Sequence, residues 1–373
     1  MRVLIAAGGT AGHINPALAI AQALGKACPE AEIHFAGRKE GMEFGLVTKA
    51  GYPFHHIEVN GIQRRLTPKN IVRNVQAVYH LALSMPRAKA ILKEVKPDLV
   101  IGCGGYVSGP VVRCAAHQGI PTAIHEQNAF PGVTNKLLAK DATVVFAAVQ
   151  AAVEKLGVPE KTFVVGNPVR PALFEQDREA VRKNMGLSDE TLIVSFGGSL
   201  GARPINEVVA QLAAWEQENP EHKIRHIHAT GKAGVVPFRR MMMAQHVEAN
   251  KQFEVREYIE DMPALLAAAD LVICRSGALT LAELEAVGRA SILIPSPYVA
   301  ENHQYYNALE LQKAGAAIVI EEKDLTGVRL IELVNELCAE PGKLRVMGQM
   351  AKSLAEPNSL DKITEKLLEI VKK

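Results

Sequence analysis

Cysteine is scarce in this 373-residue chain: Cys28, Cys103, Cys114, Cys274 and Cys338 are odd in number and scattered. Cys103 and Cys274 lie inside apolar runs that read as strands, so the pattern points to buried thiols rather than a disulfide framework. No zinc-ligand spacing occurs. No run of 18 uninterrupted apolar residues occurs either, which excludes a membrane-spanning helix of ordinary length. The opening MRVLIAAGG passes straight into a strand and turn, unlike a secretion signal with its small-residue cleavage site, and the expected location is cytoplasmic. Low-complexity segments are missing as well. So is the dinucleotide fingerprint G-x-G-x-x-G: the second strand ends Phe35-Ala36-Gly37-Arg38, with no acid to hold an adenosine ribose, which disfavours NAD. No D-x-D aspartate pair is placed to hold a metal, and the net charge is only +2. No cofactor, metal or nucleic acid is expected.

What the chain does contain is one design used twice. VLIAAGGTAGHINPAL (Val3 to Leu18) and LIVSFGGSLGARPINEVV (Leu192 to Val209) each place an apolar strand before a diglycine turn with a hydroxyl residue, then a helix. Glycines let the backbone turn sharply and approach a ligand, while the N–H groups and positive dipole end of the following helix attract an anion. PDLVIGCGGYVSGPVV (Pro97 to Val112) and ADLVICRSGALTLAEL (Ala269 to Leu284) form a second such pair. In open α/β sheets ligands gather at the carboxyl ends of strands, so all four loops are expected to line one shared cleft.

Length and a 48% apolar content suit two α/β domains. In the first half the pattern predicts strands near 2–7, 32–36, 98–103, 121–125 and 143–146, alternating with helices near 16–27, 70–95, 109–118 and 132–139. The second half predicts strands near 191–196, 224–229, 253–255, 270–274, 291–295 and 317–320. That rhythm implies parallel sheets. VVGNPVRPAL (Val164 to Leu173) reads as the hinge, giving domains 1–165 and 166–356, with a closing helix from about 357 to 373 whose docking partner is not legible locally. Residues 1–165 hold 18 Lys and Arg against 11 Asp and Glu; the remainder holds 24 against 29. The surplus is placed between Gly61 and Pro97, where Arg64, Arg65, Lys69, Arg73, Arg87, Lys89, Lys93 and Lys96 face only Glu94. Ile71, Val72, Val75, Val78, Tyr79, Leu81, Leu83 and Met85 are interleaved, so this segment either offers a basic amphipathic surface to anionic headgroups or packs on its own sheet with solvated lysines.

Several side chains could carry chemistry. His13 sits where the chain enters a helix that Asn15 would cap and Pro16 would begin; it can take a proton near neutral pH or simply cap the turn. Glu126 and Asn128, just after a predicted strand, would line the cleft or form a capping loop. Glu283, in the helix after Ser276-Gly277-Ala278-Leu279-Thr280, can accept from two ribose hydroxyls or complement the helix dipole. Ser199 and Arg170 read equally as a turn hydroxyl and a surface cation, and Gln304 as a sugar ligand or a polar loop residue.

In order, GGTAGHINPALAIA, GCGGYVSGPVV, HEQNAFPGVTNKLLA, VGNPVR, FGGSLGA, SGALTLAELEAVG and HQYYNA span essentially the whole chain. Together they resemble the MurG family, the UDP-N-acetylglucosamine transferases that complete lipid II for peptidoglycan. The resemblance implies a GT-B fold, two Rossmann-like domains with parallel sheets facing a central cleft. It implies an N-terminal acceptor and membrane-associating domain, with the closing helix from about 357 to 373 packing back on it, and a C-terminal donor domain. The implied reaction is inverting transfer of GlcNAc from UDP-GlcNAc to the 4-hydroxyl of MurNAc on undecaprenyl-pyrophosphoryl-MurNAc-pentapeptide (lipid I), at the cytoplasmic face of the cell membrane. Carried over by position, donor contacts fall on Thr10, Ala11, Gly12, Asn128, Arg170, Ser199, Ile259, Ala278, Leu279, Thr280, Leu281, Ala282, Glu283 and Gln304. Acceptor contacts fall on Gly104, Gly105 and Tyr106. His13 is the favoured base and Glu126 the alternative. Ala11 replaces the glycine usual in the first loop, and His303 stands where a second glutamine is common. A UDP-GlcNAc 2-epimerase or a non-catalytic nucleotide-sugar binding protein are the rival readings.

Overall fold

A computed structural model of the protein describes residues 1–59, 83–198 and 200–372. Arg64, Arg65, Lys69, Arg73 and the apolar residues from Ile71 to Leu81 therefore lie outside the described residues, as does Ser199. The chain forms two compact units, Met1–Pro168 with Asn358–Lys373, and Val169–Pro357.

In the first unit β1 (Arg2–Ala6), α1 (Ala11–Ala27), β2 (Glu32–Gly37), α2 (Met42–Lys49), β3 (Phe54–His56) and α3 (83–95) lead to β4 (Leu99–Gly102) and α4 (Ser108–His117). Then come β5 (Thr122–Glu126), α5 (Val133–Ala139), β6 (Val144–Ala147), α6 (Val153–Leu156) and β7 (Thr162–Val164). The strands pair in parallel in the order β3-β2-β1-β4-β5-β6-β7, with Val3 opposite Leu99 and Ala6 opposite Gly102. Alternate residues of each strand feed opposite faces. Leu4, Val100 and Val145 pack beneath α3 and α4, whereas Val3, Ile5, Leu99 and Ile101 pack against Ile14, Ala17 and Ile20 of α1.

The second unit repeats the scheme with α7 (Arg178–Asn184), β8 (Thr191–Phe196), α8 (Arg203–Glu218), β9 (Ile224–Ala229), α9 (Val235–Ala244), β10 (Phe253–Arg256) and α10 (Met262–Ala268). It continues through β11 (Leu271–Cys274), α11 (Ala278–Val287), β12 (Ala290–Leu293), α12 (His303–Lys313), β13 (Ala317–Val319), α13 (Gly327–Ala339) and α14 (Pro341–Ser353). Its parallel order is β10-β9-β8-β11-β12-β13. Counted within each unit, both sheets run outward in opposite directions from a first strand, β1 or β8. The crevice at such a reversal is where doubly wound sheets bind ligands. The four glycine- or serine-bearing loops follow β1, β4, β8 and β11, the two strands at each reversal.

α15 (Ser359–Lys372) returns to the first unit, where Ile363, Leu367 and Ile370 join the core face of α1. The closing helix thus packs on the N-terminal unit, the placement the domain organisation implied, although its own residues gave no local sign of the partner. Two edge strands, β3 and β7, arise where the sequence offers only three residues each and no sustained alternation. The first helix also starts earlier than the pattern suggests. Thr10 rather than Asn15 is its cap residue, and Pro16 lies inside it. Gly9 turns at φ +89° and Thr10 takes extended geometry, so the helix begins at once; Pro16, inside it, gives up the bond its missing N–H would make to the Gly12 carbonyl and crowds that oxygen. All five cysteines are free, with Cys103, Cys114 and Cys274 buried.

Candidate functional site

In the N-terminal unit the loops after β1 and β4 meet backbone to backbone. Gly105, at φ +79°, lies so close that a Cβ there would stand 2.3 Å from the Gly8 carbonyl oxygen. Gly104, at φ +100°, faces His13: a Cβ would fall 2.6 Å from Cδ2 and 3.0 Å from Nε2 of the ring. Ser108, buried at the start of α4, ties the two loops by accepting from Gly104 N at 3.1 Å while its hydroxyl reaches Ala6 O at 2.9 Å. Tyr106 is 52% exposed beside them.

His13 occupies the first turn of α1 beside Thr10, Ala11 and Gly12. Its Nδ1 lies 3.1 Å from the Gly8 carbonyl and 3.4 Å from Thr10 Oγ1. A carbonyl only accepts, so Nδ1 carries the proton of the neutral ring and Nε2 keeps a lone pair on the Gly104 side. That tautomer is the one a general base needs.

Glu126 ends β5 almost fully buried. One oxygen accepts from Asn128 N and Nδ2, both at 3.0 Å; the other accepts from Gly132 N at 3.0 Å and Asn135 Nδ2 at 2.9 Å. Three bonds from the loop it begins and one from Asn135 of α5 occupy the carboxylate, the arrangement of a loop organiser. His125 beside it is also buried, with Nε2–H donating to Gly166 O at 3.2 Å and Nδ1 accepting from Gln127 Nε2 at 3.0 Å; burial holds its pKa down to about 4.

Glu43 escaped the sequence reading. Buried in α2, it accepts from Arg38 N at 3.0 Å and Gly9 N at 3.3 Å. Side chains at Gly8 or Gly41 would collide with its carboxylate, at 2.7 and 2.3 Å, so these glycines make room for one acid that fixes the first loop. The signal, one of two glutamates among glycines in GRKEGMEFG, is too common to have singled it out.

In the C-terminal unit the loop after β8 turns through Gly198 at φ +90° and Gly201 at φ +78°. Gly277 caps α11, whose first turn is Ala278, Leu279 and Thr280; such first-turn amides have no acceptor within their own helix. Leu281 and Ala282 are buried in one core with Ile259. Glu283 pairs with Arg170 Nη2 at 3.1 Å. Burial raises its carboxyl above the usual range and Arg170 draws it back. Buried Ser276 donates to the Gln304 carbonyl at 2.8 Å, while the Gln304 side-chain oxygen accepts from Ser296 N at 2.9 Å. The structure thus brings together Thr10, His13 and Gly104 in one unit, and Arg170 with Glu283 in the other. Glu126 and Asn128 form their own loop.

Residues 3–147 match the glycosyltransferase family 28 N-terminal domain and residues 192–363 its C-terminal domain. A relative from Desulforudis audaxviator, named UDP-N-acetylglucosamine–N-acetylmuramyl-(pentapeptide) pyrophosphoryl-undecaprenol N-acetylglucosamine transferase, is 41% identical over 98% of this chain and 97% of its own. The Acetivibrio thermocellus protein of the same name is 42% identical over 100% and 99%. The crystal structure of Acinetobacter baumannii MurG superposes with a TM-score of 0.79 at 29% identity, covering 99% of both chains. A Neisseria meningitidis UDP-GlcNAc 2-epimerase shares the fold at a TM-score of 0.66 and 15% identity, over 99% of this chain and 100% of its own.

Proposed function

The chain belongs to glycosyltransferase family 28, within the N-acetylglucosamine transferases that act on pyrophosphoryl-undecaprenol acceptors, and from that premise we propose how its residues work. The enzyme transfers GlcNAc from UDP-GlcNAc to the MurNAc 4-hydroxyl of lipid I, giving lipid II. Identity above 40% along the whole chain goes with the transferases, whereas the epimerase likeness is one of fold.

The observation that carries the mechanism is the His13 tautomer. With Nδ1–H engaged by Gly8 O, Nε2 takes the proton of the acceptor hydroxyl as its oxygen bonds to C1 of GlcNAc from the face opposite UDP. The C1–O bond to UDP breaks with inversion, and the diphosphate leaves with the electron pair. In this reading Gly104, Gly105 and Tyr106 carry the acceptor. Arg170, Ser199, Ile259, Ala278 to Glu283 and Gln304 hold the donor, with Thr10, Ala11, Gly12 and Asn128 completing its contacts. Glu283 takes the ribose, and the N-termini of α8 and α11 offset the diphosphate charge. Glu126 shapes the loop that presents Asn128. Radiolabelled UDP-GlcNAc with a lipid I analogue tests the assignment: a lipid-linked disaccharide is expected, and epimerised donor alone would overturn it.

The lipid acceptor calls for a membrane surface. Among the described residues no helix is long and apolar enough to cross one. Supporting a peripheral association at the cytoplasmic face, α5 exposes Val133 (54%) and Leu137 (65%) beside Lys136 and Lys140, in the unit whose sequence holds the basic segment. Changing Arg64, Arg65, Lys69 and Arg73 to Glu should abolish most sedimentation with anionic vesicles, since each basic residue near such a surface is worth ~1 kcal/mol. Activity on a short-chain soluble acceptor should survive. Unchanged sedimentation would reduce the segment to a solvated face.

A further inference from the structure

The C-terminal unit buries a polar chain that the transfer mechanism does not use. Glu216, near the end of α8, meets His226 Nδ1 at 2.9 Å; His226 Nε2 meets Ser195 Oγ at 2.7 Å; Ser195 Oγ meets His228 Nδ1 at 2.7 Å. His228 Nε2 then meets Asn206 Oδ1 at 3.2 Å, and Asn206 Nδ2 donates to the Thr230 carbonyl at 3.1 Å. Ser195, His226, His228 and Thr230 are fully buried. Glu216 also borders a cavity of about 20 Å³ with Gln217, Glu248 and Asn250, room for one water, so the chain can exchange protons at that end.

Elementary donor and acceptor rules fix its direction. The Thr230 carbonyl only accepts, so Asn206 turns its NH₂ there and its oxygen to His228. That oxygen only accepts, so His228 is protonated on Nε2. Burial holds the His228 pKa down to about 3, so the ring is neutral and Nδ1 must accept from the Ser195 hydroxyl. Ser195 Oγ then accepts from His226 Nε2–H. The remaining bond, His226 Nδ1 to Glu216, still needs a hydrogen. The pair therefore holds one proton more than a neutral imidazole and a carboxylate, either as imidazolium with carboxylate or as imidazole with carboxylic acid. Without it the chain reverses, and two lone pairs face each other at the His228–Asn206 contact in a dry core, a costly arrangement.

We propose that one proton shared by Glu216 and His226 sets the direction of this chain, and that His228 and Asn206 are positioning residues for the donor's glycine loop. The chain ends on that loop. A Cβ on Gly201 would stand 2.0 Å from the Thr230 oxygen, so the carbonyl Asn206 anchors is the wall against which Gly201 turns at the end of that loop. Asn206 and Glu216 also tether α8 to the sheet near both its ends, and the start of α8 is the helix terminus directed at the diphosphate. This inference rests on the donor reading of the C-terminal unit.

Two measurements test it. Nitrogen-15 NMR of the wild-type protein labelled at histidine should show His228 protonated at Nε2 and bare at Nδ1, with His226 protonated at Nε2; the opposite His228 tautomer overturns the proposal without any variant. Asn206→Leu should raise the Kd for UDP by ~10-fold, the value of about one hydrogen bond. Turnover at saturating donor and KM for the acceptor should stay within about twofold, since an anchored loop serves binding rather than proton transfer. A lowered melting temperature with an unchanged Kd would make the chain merely structural and overturn the positioning role. Failure of the wild-type protein to bind UDP would instead sink the donor reading, and the role with it, whatever the tautomers show.

Discussion

His13 and Glu126 are the two groups proposed to take a proton beside the first sheet, and their neighbours treat them differently. His13 is held through Nδ1, which leaves Nε2 a lone pair. Glu126 spends both oxygens on four N–H donors, three from its own loop and one from Asn135 of α5. His13→Ala should therefore lower turnover by ~10²-fold or more, the usual worth of a general base, while UDP affinity measured by calorimetry stays unchanged. Glu126→Gln should act on stability instead. One oxygen becomes an NH₂ facing donors, which should cost about 1–3 kcal/mol in denaturant unfolding and leave turnover largely intact. Near wild-type turnover in the His13 variant, together with an inactive but stable Glu126 variant, would transfer the base role to Glu126.

At the scale of elements, the proposed donor grip centres on α11. Glu283 is its sixth residue, beyond the first turn where a carboxylate complements the helix dipole. It faces Arg170 instead, which leaves a half-shielded acceptor suited to a ribose. Glu283→Ala should weaken UDP and UDP-GlcNAc alike by about 1–3 kcal/mol, because the charge-assisted bond serves the nucleoside rather than the sugar. Equal affinities in variant and wild type would return Glu283 to a structural role. Elements also show what a sequence can reveal. β1, β4, β8 and β11 were legible because strands buried on both faces read as continuous apolar runs, and their glycine loops followed directly. β3 and β7 were not, since three half-exposed edge residues carry no period. The start of α1 was misplaced because Pro16 suits a first turn, yet Gly9 and Thr10 let the helix begin five residues earlier. The candidate site was legible as glycine loops and as His13 beside them. Glu43 and the contact of Arg170 with Glu283 depend on packing between segments distant in sequence.

At the scale of the whole molecule, the two units distribute their buried titratable groups unequally, and acid should separate them. In the N-terminal unit burial lowers His125 to about 4 and also lowers His55. Such a histidine takes a proton in the unfolded chain as pH falls through about 6.5, while the folded form resists, so stability is full above that value and lost as pH falls toward the folded pKa. Between pH 6.5 and 5 His125 alone should cost this unit about 2 kcal/mol. The C-terminal unit has the same liability in His228, lowered to about 3, but it also holds Glu285, raised to about 8, and Glu283, raised as well. A carboxyl with a raised folded pKa binds its proton more readily when folded, so acidification stabilises it and offsets the histidine. The single tryptophan, Trp215, lies on α8 of the C-terminal unit and reports that unit alone. Urea unfolding at pH 7 and pH 5 should therefore diverge by probe. The circular dichroism transition should gain an early phase at pH 5, with the Trp215 fluorescence midpoint moving far less. His125→Asn should remove most of the early phase, because an amide has no proton to take up. Coincident transitions at both pH values, or an early phase that persists in the variant, would show that His125 does not set the acid limit of its unit.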